Sequence, residues 1–280
     1  MGLGTRRWGT ETDGDEAAAQ LSAFAEAGGT LVDTSPAYGA GAAQRVLAEL
    51  LGDVVPREQL VLSGTAGTDG DCSRRTLLAG LDATLRELGT DHLDLWSMPG
   101  WDPQTPVDEV RATLEHAVQC GKVRYAGVRG FSGWQLATFG GSVAAVQDSY
   151  SLLDRQADRE LLPAAAHHGA GLLAVAPLAA GILTGKYRDG VPADSRGALE
   201  PDVLDRLDDR ATRVVEAVVT AADGLGTSPL AVAFAWARDR PGVAAAIVGP
   251  RDNAQLTGVL AAEDIKLPHA IAAALDDVSA

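Results

Sequence analysis

Short runs of β-forming residues return along the whole chain, each separated from the next by a stretch long enough for a helix. They fall at residues 2–5, 30–33, 60–63, 92–96, 124–128, 144–147, 172–175 and 245–248. Between them, residues 74–88 carry Leu77, Leu78, Leu81, Leu85 and Leu88 at three- and four-residue spacing, the mark of an amphipathic helix. Residues 16–27, 42–51, 107–120 and 202–223 have the same character. Strands joined by helical crossovers pair in parallel. Eight of them predict an α/β fold closed as a (β/α)8 TIM barrel, a single domain over residues 1–280, rather than an open sheet. No G-x-G-x-x-G follows a strand, so nothing supports a Rossmann domain. The longest irregular stretch, 185–199, follows the seventh strand, at the end of a barrel where active-site loops gather.

With 46% hydrophobic and 22% charged residues, the chain of 280 residues has the composition of a globular protein. The formal net charge of −15 repels nucleic acid and anionic membrane. Neither is expected as a partner, which leaves a small-molecule substrate. Cys72 and Cys120 lie far apart without a C-x-x-C pattern, so free thiols are expected. The opening lacks an apolar signal region and no apolar run reaches the ~18 residues of a membrane span, so the expected location is cytoplasmic. Nothing in the sequence fixes the oligomeric state.

Six segments carry more specific information: GLGTRRWG, GGTLVDTSPAYGAG, ELGTDHLDLW, GKVRYAGVRGFSGWQL, PLAAGILTGKY and VGPRDNAQL, in that order across almost the entire chain. Together they resemble the aldo-keto reductases. The resemblance implies a barrel in which NADPH delivers hydride to a carbonyl. A Tyr protonates the carbonyl oxygen, a Lys lowers the pKa of that Tyr, an Asp anchors the Lys, and a His orients the carbonyl. Asp33 and Tyr38 occupy the Asp and Tyr positions. In LVLSGTAG, however, Thr65 stands at the Lys position, and in DLWSMPGWDP Pro99 stands at the His position. A neighbouring cation shifts an acid's pKa by ~1–3 units, and a positioned acid or base contributes about 10²- to 10⁴-fold in rate. Loss of both groups should cost the usual reduction several orders of magnitude.

The implied cofactor site is changed as well. Arg129 and Gly130 replace the Ser-Asn pair at the nicotinamide amide, Val175 replaces the stacking aromatic, and Gly258 and Val259 replace an adenine-side pair. Gln147 remains, as do Pro177, Leu178, Gly181 and Lys186 of the phosphate loop, and Arg251 and Gln255 at the adenosine end. Losses of ~0.5–1.5 kcal/mol per contact imply roughly 10²- to 10⁴-fold weaker binding. No cofactor is therefore the favoured expectation, with NADP(H) at weakened affinity as the alternative.

Arg129 falls at a strand end, where it either pairs with Asp33 or binds an anionic substrate group, since Arg keeps its charge. Trp8 and Trp101 are candidates for an aromatic substrate wall beside Thr65 and Pro99, and Trp134 is expected to pack the start of a helix. His167 and His168 precede Gly169 and suit a helix end; His92 is expected to be structural. No His, Cys, Asp or Glu constellation has metal-ligand spacing. The leading functional expectation is a cofactor-independent acid–base reaction, a cyclisation, dehydration or isomerisation, with Asp33 as base, Tyr38 as acid and Arg129 as anion stabiliser. The alternatives are an NADP-dependent carbonyl oxidoreductase with an altered site and a non-catalytic ligand-binding barrel.

Overall fold

The computed structural model of the protein describes residues 1–280 apart from Thr68, Asp69, Ser142 and Asp194 and the side chain of Pro201. Position 194, inside the irregular stretch 185–199, thus lies outside the described residues. Eight strands form the sheet: β1 (Gly2–Gly4), β2 (Leu31–Thr34), β3 (Val61–Thr65), β4 (Leu93–Met98), β5 (Val123–Arg129), β6 (Ala145–Ser149), β7 (Gly171–Val175) and β8 (Val243–Val248). They pair in parallel in sequence order, and β1 meets β8 through Gly2 opposite Ile247 and Leu3 opposite Val248, closing the barrel.

The α-helices are α1 (Gly14–Glu26), α2 (Ala42–Leu50), α3 (Arg74–Leu88), α4 (Val107–Gln119), α5 (Gly133–Phe139), α6 (Leu161–His168), α7 (Arg196–Leu199), α8 (Asp209–Leu225), α9 (Pro229–Arg238), α10 (Asn253–Leu260) and α11 (His269–Ser279). The expected helix over 202–223 is divided: a 3₁₀ segment, Pro201–Arg206, precedes α8. The divider is Asp208, whose side chain accepts from the Ala211 N–H at 2.7 Å and starts a fresh helix. In α3 the predicted stripe holds, with Leu77, Leu81, Leu85 and Leu88 buried and Gly89 closing the helix at φ 64°. α6 ends at His168 with Gly169 in the same left-handed conformation, as its sequence predicts.

Side chains alternate across each strand, so every second residue faces the barrel axis. Leu31, Leu95, Ala145, Leu173, Val175, Ala245 and Ile247 form an apolar cluster there. β1 contributes only glycines to this layer: a Cβ on Gly2 would lie 2.9 Å from Leu31 Cδ2, and one on Gly4 3.2 Å from Ile247 Cγ2. Large neighbours therefore fill the space that β1 leaves. Among the described residues no single helix is long and apolar enough to cross a membrane; α8 and α9 satisfy that test only as a pair bent by 103°.

Candidate active site

Above the apolar layer, toward the C-terminal strand ends, the lining turns polar. Asp33 on β2 is its centre. One carboxylate oxygen accepts from Ser63 Oγ at 3.0 Å and from Gln147 Nε2 at 3.2 Å, and the other accepts from the Tyr38 hydroxyl at 3.1 Å. Ser63 lies beside Asp33 in the β2–β3 register, so its hydroxyl is positioned by the sheet itself. Tyr38 is carried by a short 3₁₀ turn after β2, where Gly39 and Ala40 take φ of 58° and 50°. A Cβ on Gly39 would meet Thr10 Cγ2 at 2.7 Å, so that turn requires glycine for space as well as for conformation.

Arg129, the last residue of β5, reaches across the barrel mouth and donates from Nη1 to the Tyr38 hydroxyl at 3.4 Å. Of the two roles the sequence offers for Arg129, the ion pair with Asp33 is not formed among the described residues; the guanidinium meets Tyr38 instead. Burial holds the Asp33 carboxyl above the usual carboxylate range, opposed by its hydrogen bond from Ser63 and by the charge of Arg129. Burial, reinforced by the Asp33 charge, pushes the Tyr38 phenol up to about 12, while Arg129 pulls it down. Tyr38 therefore keeps its proton at neutral pH.

The remaining predicted positions divide. Thr65, at the end of β3, is buried in the same layer, and Pro99 is half-buried just beyond β4. Trp101 is half-buried with its ring edge-on to Phe131 at 5.5 Å and to Trp134 at 5.3 Å. Trp134 is 57% exposed. These two indoles flank the mouth on the β4–β5 side. Trp8 does not belong with them: it is wholly buried, and its Nε1 donates to Gln20 Oε1 at 3.0 Å, which makes it part of the packing between the β1 loop and α1. An indole whose N–H needs an internal acceptor satisfies it best in the core. His92 contacts Asp91 at 2.6 Å, far from the polar layer.

The positions assigned to a cofactor surround the β7 and β8 ends. After β7, Ala176, Ala179, Ala180 and Gly181 take φ of 53°, 48°, 59° and 91°. Three alanines in left-handed conformations cost about 1–2 kcal/mol each, and such turns aim successive N–H groups at one point, as anion sites do. Pro177 is buried and Leu178 half-buried at the base of this loop. A Cβ on Gly181 would touch Lys186 Cε and Nζ at 3.0 Å, so the bare glycine lets the ammonium lie against the loop. Beyond β8, the Arg251 N–H donates to Gln255 Oε1 at 3.1 Å, and the Arg251 carbonyl accepts from Thr12 Oγ1 at 2.7 Å. Among the described residues Gln147 Oε1 is buried without a hydrogen-bond partner and needs a donor. The strained loop and this free amide oxygen fit a nicotinamide dinucleotide.

A concavity of ≈ 220 Å³ lined by Leu51, Gly52, Arg57, Arg86 and Thr90 lies at the opposite end of the barrel. It precedes the strands rather than following them and shares no residue with the polar layer. Sequence reasoning missed Ser63 and Ser97 and gave Gln147 only a cofactor role. The two-residue period along β3 and β4 was the available signal: it places Ser63, Thr65 and Ser97 on the face of Asp33.

The aldo/keto reductase family model matches residues 1–280. The chain belongs to the aldo/keto reductase family. Its relatives include the uncharacterized oxidoreductase YrpG of Bacillus subtilis (strain 168), 32% identical over 99% of this chain and 90% of that protein. A probable voltage-gated potassium channel subunit beta of Oryza sativa subsp. japonica is 32% identical over 92% of this chain and 85% of that protein. L-glyceraldehyde 3-phosphate reductase of Escherichia coli (strain K12) is 31% identical over 71% of this chain and 64% of that protein. Asp33 lies on β2 and Tyr38 in the turn that follows it, while Thr65 ends β3 and Pro99 lies just beyond β4.

Proposed function

We propose that this aldo/keto reductase is a carbonyl oxidoreductase that uses NADP(H) and acts on a small molecule, with Arg129 serving as the cation beside Tyr38. The observation that carries the reading is the 3.4 Å hydrogen bond from Arg129 to the Tyr38 hydroxyl. It supplies a permanent positive charge at the group that must give up a proton, on a different strand from the missing Lys. The oxidoreductases and reductases among the relatives support the same direction. The cofactor-free reading has no counterpart among them.

Gln147 would hold the nicotinamide amide, the 177–186 loop the phosphates, and Arg251 with Gln255 the adenosine end. NADP(H), when bound, supplies hydride to a carbonyl carbon. The chain's own part is proton management. Tyr38 keeps a proton at its hydroxyl, Arg129 stabilises the negative charge that grows on the carbonyl oxygen, and Asp33 holds the phenol in place.

A second reading, acid–base chemistry without hydride, is favoured by Thr65, Pro99 and Val175 at the positions of Lys, His and the stacking aromatic. Titration of the purified protein with NADPH, followed by fluorescence and calorimetry, separates the two. Binding below ~1 mM together with reduction of a carbonyl panel supports the first. Absence of binding at that concentration ends it and leaves the second. Arg129→Met should then lower kcat/KM by about 10²-fold, and Arg129→Lys should recover part of it.

A further inference from the structure

Two side-chain hydroxyls in the polar layer, Thr65 Oγ1 and Ser97 Oγ, have no hydrogen-bond partner among the described residues. Their residues are 3% and 1% exposed, so bulk solvent does not satisfy them. Thr65 is paired with Ser97 in the β3–β4 register, and Ser97 with Gly127 on β5. A Cβ at Gly127 would lie 2.6 Å from Ser97 Oγ, so the glycine is what leaves that hydroxyl its room. Thr65 is two residues beyond Ser63, whose hydroxyl meets Asp33, and therefore faces the barrel axis.

The carboxylate of this layer, Asp33, is equally enclosed, and the donors it meets, Ser63, Gln147 and Tyr38, are all neutral. No ion pair reaches it among the described residues, and the Arg129 guanidinium is directed to the Tyr38 hydroxyl. A carboxylate offers about four acceptor sites. Ser63 and Gln147 take those of one oxygen and Tyr38 takes one on the other, which leaves a lone pair on the oxygen that Tyr38 addresses. A buried charge without a counter-charge is costly, and so are buried hydroxyls without partners. Water would pair the hydroxyls and leave the charge unbalanced. A cation answers both needs, because hard cations bind through oxygen. One carboxylate balances one positive charge, whereas a divalent ion would leave a surplus near Arg129.

We propose that Thr65 Oγ1, Ser97 Oγ and the Asp33 carboxylate form a binding site for a monovalent cation: K⁺, Na⁺ or ammonium. The ion is a counter-charge that fixes the carboxylate where it accepts from Tyr38. The inference goes beyond the oxidoreductase reading and stands without hydride transfer. Hydroxyl ligands on adjacent strands follow no Cys, His, Asp or Glu spacing, which is why no motif marks the site.

Thermal unfolding tests it, followed by circular dichroism in Tris chloride with ~100 mM choline chloride replaced by KCl, NaCl or NH4Cl. Equal ionic strength removes general screening, and choline is too bulky for the site. At least one of the three salts should raise Tm by about 2–4 °C over choline. Thr65→Val, Ser97→Ala and Asp33→Asn, each first checked for a native spectrum, should lose most of that rise. A response to K⁺ or Na⁺ alone supports a cage selective for ion size, and a response to ammonium alone supports a cage selective for hydrogen bonding. No difference from choline in the native protein, or a rise that survives any one of the substitutions, overturns the proposal. If Thr65→Val does not fold, the other two variants decide. NADPH titration in choline chloride and in the effective salt reports on the oxidoreductase reading separately: no NADPH binding in either, with the Tm rise intact, removes that reading and keeps the cation site.

Discussion

Asp33 is held at a cost. Burial raises its carboxyl above the usual value while its three hydrogen bonds and Arg129 only partly compensate. Below the unfolded value near 3.8 both states are protonated and the group has no effect. As pH rises past it, the unfolded chain ionises first, the folded chain binds more protons, and stability falls until Asp33 ionises in the fold. Asp33→Asn should therefore raise Tm at pH 7 and lose that advantage toward pH 4, as differential scanning calorimetry across that range would report. In the same variant the Tyr38 phenol, now freed of the Asp33 charge, should ionise below its present value of about 12, which ultraviolet difference titration would detect. Asp33 and Tyr38 were legible because they sit in a contiguous motif. Arg129 was legible as a cation near Asp33, but its contact with Tyr38 depends on a side chain spanning the mouth, which no spacing rule encodes. Trp8 was misread because a motif places a residue near a site without showing which way its side chain turns.

Elements show where glycine is required. α5 meets α6 at Gly133, where an added Cβ would lie 2.7 Å from the Glu160 carbonyl oxygen. Backbone cannot yield as a side chain does, so Gly133→Ala should cost ~1–3 kcal/mol in urea unfolding. The β7 loop should answer in the opposite sense. Ala180 carries φ of 59°, so Ala180→Gly relieves strain and should gain up to ~1 kcal/mol after the added unfolded-state freedom is counted. All eight strands were legible from β-forming runs between helical periods. Their limits shifted by at most two residues, because pairing with neighbours, rather than composition, decides where a strand stops. The division before α8 was hidden by a helical pattern that continues across the cap at Asp208.

For the molecule as a whole, the last helix is tied to distant segments. Asp276 on α11 accepts from Arg240 Nη1 at 2.9 and 2.7 Å and from Trp236 Nε1 at 3.0 Å, and Trp236 stacks on Tyr150 at 5.5 Å. Asp276→Ala should cost ~1–3 kcal/mol, read from the urea midpoint, because it leaves several donors unpaired at once. Closure between β1 and β8 joins strands from nearly opposite ends of the chain, and such non-local pairing forms late. Pulsed hydrogen exchange during refolding should find β1 amides among the last protected; early protection there would show closure before the middle strands assemble. The apolar layer of Leu31, Leu95, Leu173 and Ile247 has a further effect on traffic. It seals the barrel from below, so the polar layer is a cul-de-sac with one door. Whatever rests deepest must enter first and leave last, and the order of arrival and departure is imposed by shape before any affinity is considered.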